Sequence, residues 1–113
     1  MIKMKYPEKI RIGFRVFDLI LKEELNDENG DKLFGRYYDE GQIIICSQSD
    51  EDMQKATLLH EMLHAISTYI GADLTEGQTR GMANNLFMTM KYNHELFEEL
   101  LRDNNRKRRR NTD

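Results

Sequence analysis

The chain has one cysteine, one proline, no tryptophan and no apolar run that could cross a bilayer. A lone Cys46 leaves no internal disulfide to form, which excludes a disulfide-stapled scaffold and suits a reducing compartment. A membrane helix needs about 20 consecutive apolar residues. The start, Met1 to Lys9, carries lysines without the apolar block and small-residue cleavage site of a secretory signal. The expectation is a cytoplasmic protein with no membrane partner. At 113 residues, 39% apolar and 33% charged, with no internal repeat and no linker, the composition is that of one globular domain with one core.

Positive charge is scarce over most of the length. Residues 1 to 101 hold 11 Lys+Arg against 18 Asp+Glu, giving -7, whereas residues 102 to 113 hold 6 basic residues against 2 acidic ones, giving +4. The expected organisation is a single domain over 1–101 and a basic, disordered tail over 102–113, because the tail offers no apolar side chain to bury. Clustered Arg and Lys can supply salt-dependent contacts to nucleic acid. No aromatic is interleaved with them and the body is acidic, so nucleic acid ranks last among partners.

Ile10, Ile12, Phe14 and Val16 alternate with polar residues, and Phe17, Leu19 and Leu21 continue in the opposite phase. This pattern predicts a half-buried strand over 10–21 with a bulge or a break near Val16 and Phe17, in preference to a short amphipathic helix from about Arg15 to Leu25. Asn29-Gly30 marks a tight turn, and Asp39-Glu40-Gly41 joins two further strands, Leu33 to Tyr38 and Gln42 to Cys46, as a hairpin. Ile43, Ile44 and Ile45 read as a strand covered on both faces. Being last, that strand is expected beside the cleft, where an extended peptide could add to it.

A helix is predicted over roughly 50–70. Ser49 with Asp52 has capping-box spacing, Asp50 and Glu51 suit the helix dipole, and Gly71 is a stop signal. Ala56, Leu59, Leu63, Ile66 and Ile70 form its apolar stripe, with Leu58, Met62, Ala65 and Tyr69 making the opposite side apolar too. Thr75 with Gln78 opens a second helix whose stripe is Thr79, Ala83, Leu86, Phe87 and Met90, with a break near Asn93. Gly77 and Gly81 each cost about 1 kcal/mol against alanine there and are candidate points of close backbone approach.

The first helix carries His60-Glu61-Met62-Leu63-His64, an HExxH pattern. Histidines four apart share one helix face, so both imidazoles can reach one ion, and the intervening carboxylate can take a proton from water that the ion acidifies. Burying two histidines and a glutamate without a partner would be costly. Catalytic zinc takes a third protein ligand. Glu76 is the preferred candidate: on the helical wheel it lies on the side of Ala83 and Phe87. Six residues after Ile70 can also recover the about 9 Å climbed from His64. Asp73 comes second, with a competing role as an N-cap. His94 lies about 27 Å along an unbroken helix from Glu76. Tyr69, Tyr92 and His94 are candidates for a second electrophile.

The stretch Ala56 to Ile66, with a glutamate twelve residues after His64, resembles the small zinc metallopeptidase-like proteins of phages and prophages. These are akin to the ImmA/IrrE family and, more broadly, to the gluzincins. Gly35 to Ile45 is similar to the strand pair those proteins place before the metal helix. The resemblance implies a zincin-like α+β fold, Zn2+ held by His60, His64 and Glu76, Glu61 as general base, and a phage or prophage protein acting in the host cytoplasm. That family carries an Ala-Asn pair behind its glutamate ligand; Ala83-Asn84 stands here, with Arg80 three residues before Ala83. The functional expectation is a zinc-dependent peptidase acting on a protein or peptide. The competing reading is a non-catalytic zincin scaffold that binds a host or phage protein.

Overall fold

Two apolar sets of opposite phase before Leu21 are reconciled by a reversal of the chain between them. In the computed structural model, which describes residues 6 to 103, strand β1 (Lys9–Ile12) turns back into β2 (Arg15–Lys22). Ile10 pairs with Phe17 and Ile12 with Arg15, antiparallel. The reversal is made by Gly13-Phe14, with φ +61° at Gly13 followed by a negative φ, the pattern of a two-residue hairpin with glycine first. The expected bulge and the alternative helix are therefore both corrected, and the break falls at Gly13-Phe14 rather than near Val16 and Phe17. Ile12, Phe17 and Leu19 reach the core, while Phe14 at the turn is 83% exposed.

β3 (Gly35–Tyr38) and β4 (Gln42–Cys46) form the expected hairpin. The sheet order is β1-β2-β4-β3, so β4 lies parallel to β2 in the interior and β3 forms the edge. Placing the last strand beside the cleft is thus corrected: burial of all three isoleucines, Ile43, Ile44 and Ile45, draws β4 inward. The preceding loop is closed locally by a bridge between Asn26 and Lys32 and by the Asp27 carboxylate, which accepts from the Asn29 and Asp31 amides.

Three helices follow, α1 (Glu51–Ile70), α2 (Glu76–Tyr92) and α3 (His94–Leu100), completing an α+β fold with a four-stranded mixed sheet. The N-cap of α1 is Asp50, whose side chain accepts from the Met53 amide at 2.8 Å, one residue later than the Ser49 cap expected. Gly71 closes α1 with φ +73°, Thr75 and Gln78 form the capping box of α2, and the helices break at Asn93. Tail residues 104–113 lie outside the described residues, and Arg102 is tied to Glu99 at 2.9 Å.

Ile12, Phe17, Leu19, Ile43, Ile45 and Ala65 form the core, with Leu58 and Met62 packed against it. The buried line of α1 is Gln54, Thr57, Glu61 and Ala65, spaced at helical period. The apolar stripe expected from Ala56 to Ile70 does not face the sheet: Ile66 is 38% and Ile70 66% exposed. No described helix is long and apolar enough to cross a membrane.

Candidate metal centre

One turn of α1 separates His60 from His64, and both imidazoles are half-buried on the side that faces the start of α2. Their Nε2 atoms lie 3.1 Å apart. Glu76, the first residue of α2 after its cap, places Oε1 2.6 Å from His60 Nε2 and Oε2 3.2 Å from His64 Nε2. The capping box explains the placement: Thr75 and Gln78 satisfy each other's backbone amides and fix the direction of the first turn, and with it the Glu76 side chain.

The donor set fits a divalent ion. Ligands held about 2.0–2.1 Å from a tetrahedral zinc ion lie about 3.3 Å from one another, and the three contacts here run from 2.6 to 3.2 Å. Two Nε2 atoms facing each other at that distance share either a cation or the N–H proton of one neutral ring, according to the tautomer. Burial first, opposed by the Glu76 carboxylate, leaves the His60 imidazole below its usual range and so favours the neutral form that a metal ligand requires. His64 is also steadied from behind. The Tyr37 ring stacks on it, with centroids 6.4 Å apart and planes 17° from parallel, and the Tyr37 hydroxyl donates to Asp39 at 2.7 Å.

Glu61 stands between the histidines in sequence but points toward the sheet. It is 6% exposed, lines the same cleft as His60 and Glu76, and makes no hydrogen bond or ion pair among the described residues. Burial first, and the Glu76 charge second, push its carboxyl up to about 7. Gly35 makes this burial possible. A β-carbon there would stand 2.5 Å from Thr57 Cγ2, 3.1 Å from the Ile44 carbonyl and 3.3 Å from Glu61 Cγ, so only glycine lets the edge strand close over the carboxyl. Close approach was expected at Gly77 and Gly81 instead, yet Gly81 faces open space and Gly77 meets only Thr75 Oγ1 at 3.9 Å.

The cleft is about 350 Å³, walled by residues 32–35 on one side, α1 below and α2 on the other side, where Arg80 and Asn84 follow Glu76 at successive turns. Of the site residues expected from sequence, His60, His64, Glu76 and Glu61 are brought together. Asp73 is exposed and outside the cluster, and His94 ion-pairs with Glu98 at 2.9 Å. None of the expected second electrophiles lines the cleft. Tyr69 packs edge-on against Phe14 and covers Gly13, and Tyr92 is 76% exposed. Arg80, Asn84 and Lys32 are the polar groups that sequence reasoning missed. The signal for two of them was available, since 76, 80 and 84 share one helix face.

No family model, no curated protein and no solved structure matches the chain.

Proposed function

We propose that the protein is a zinc-dependent peptidase of zincin-like design, with His60, His64 and Glu76 as metal ligands and Glu61 as general base. The observation that carries this reading is the gathering of two imidazole nitrogens and one carboxylate oxygen within 4.8 Å of one another, beside the buried Glu61 carboxyl. A bound zinc ion supplies Lewis acidity, making a water molecule acidic near pH 7 and polarising a peptide carbonyl. Glu61 accepts the proton from that water and returns it to the departing amine. Such general catalysis contributes on the order of 10²–10⁴ in rate.

The edge of β3 gives a substrate somewhere to lie. Its outer backbone groups are unpaired in the sheet, and its first residue, Gly35, lines the cleft. An extended peptide can add to such an edge by main-chain hydrogen bonds. Tyr37, by stacking on His64, holds that ring's orientation. The likeness of the HExxH stretch to phage and prophage peptidases supports a host or phage protein as substrate.

The test is peptide-library cleavage by the zinc-loaded protein. Wild type is expected to cut, and Glu61→Gln to lose at least about a hundredfold in rate while keeping its zinc. Equal behaviour of the two in every cleavage assay would favour the non-catalytic scaffold.

A further inference from the structure

Among the described arginines, Arg80 stands apart. Arg15 pairs with Asp39, Arg36 with Glu28 and Arg102 with Glu99, and Arg11 donates to the Gly13 carbonyl. Arg80 makes no hydrogen bond or ion pair among the described residues. Its natural partner is Glu76, four residues earlier on the same helix face, a spacing at which such pairs usually form. Glu76 is instead turned to the two histidines. The guanidinium is therefore left without a counter-ion at the wall of the cleft that also contains His60 and Glu61.

We infer that Arg80 is the substrate-docking cation of this cleft and that the site takes peptides with a carboxylate close to the scissile bond. This inference rests on the peptidase reading above. The spacing suits it: the four residues from Glu76 to Arg80 rise about 6 Å along the helix, about the span of two extended residues. The chemistry suits it as well, since a planar guanidinium matches a carboxylate through two parallel hydrogen bonds. A second cation, Lys32, lines the opposite wall and is also without a partner among the described residues. Lys32 and Arg80 balance Glu61 and Glu76, so a divalent ion leaves the cleft positive on a body whose charge is otherwise acidic. The carboxylate could be the terminal α-carboxylate of a peptide or an Asp or Glu side chain next to the cut.

The test uses a hydroxamate with one peptide unit in three forms: free terminal carboxylate, terminal amide, and terminal amide with a glutamate side chain. Binding is read from the visible spectrum of the full chain loaded with Co2+. Wild type is expected to bind at least one carboxylate form about tenfold or more tightly than the plain amide, in keeping with a charge-assisted pair. The preferred form identifies the source of the carboxylate. Arg80→Ala should erase that preference, read as the ratio of carboxylate-form to amide affinity within the variant, and Arg80→Lys should keep part of it. Equal binding of all three forms to wild type, or a preference that survives in Arg80→Ala, would overturn the inference while leaving the metal site standing. If no form perturbs the cobalt spectrum of wild type, the peptidase reading falls and this inference with it.

Discussion

Helix α1 is packed in two different ways on its two sides. Toward the sheet, Leu58, Met62 and Ala65 meet Phe17, Leu19, Ile43 and Ile45, an apolar contact stable without any help from charge. Toward α2, the groups that converge are His60, His64 and Glu76, with Arg80 and Asn84 farther along the cleft. On that side Thr79 and Ala83 are fully buried, but polar groups line the opening. A sheet-side contact of this kind folds the domain, whereas a polar convergence is weak evidence for stability and needs a functional reason. The difference teaches that the core is supplied on the sheet side, while the α1–α2 joint gathers polar groups, for which the proposed reason is an ion.

The largest effect is expected where the sheet side is broken. Phe17 is 2% exposed, and Phe17→Ala should cost about 3–5 kcal/mol, read from urea unfolding. Next comes Glu61. Its folded pKa, about 7, is raised above the reference 4.5, so the native state binds the extra proton. The stability this contributes is complete below pH 4.5 and is lost as pH rises through about 7, on the order of 3 kcal/mol in all. Metal-free Glu61→Gln should therefore be more stable than metal-free wild type at pH 7 and equal to it near pH 4, by thermal unfolding. Equal stability at both pH values would mean that the carboxyl is not desolvated. The smallest effect is at the cap: Thr75→Ala should cost about 1 kcal/mol and weaken zinc binding as well, because the same turn aims Glu76. Loss of stability with unchanged zinc affinity would separate the cap from the site.

Much of the helical half was legible in the residues because its signals are local. The HExxH spacing, the Thr75–Gln78 capping box, the stop at Gly71 and the break at Asn93 each depend on a few neighbouring side chains, and each appears where expected. Glu76 was picked out by its place on the helical wheel and the short span of chain after Ile70, and the structure sets it against both imidazoles. The sheet was harder. Gly13-Phe14 is a two-residue turn hidden inside what looks like one strand with a phase change. The inward move of β4 depends on which strand pairs with β2, a contact distant in sequence. The buried line of α1 was misread because it is partly polar: Gln54, Thr57 and Glu61 go inside while Ile66 and Ile70 stay out. Gln54 is accommodated by donating to the Ser47 and Ser49 carbonyls, and Glu61 by the space that Gly35 leaves. Hydrophobic periodicity fails where polar side chains have taken core positions, as Gln54, Thr57 and Glu61 do here.

The most direct measurement is zinc titration of the metal-stripped protein by calorimetry, with ion content checked by elemental analysis. One ion per chain should bind to wild type and to Glu61→Gln, and His60→Ala, His64→Ala and Glu76→Ala should each lose it. Failure of wild type to bind zinc, or binding undiminished in Glu76→Ala, would contradict a centre shared between α1 and α2.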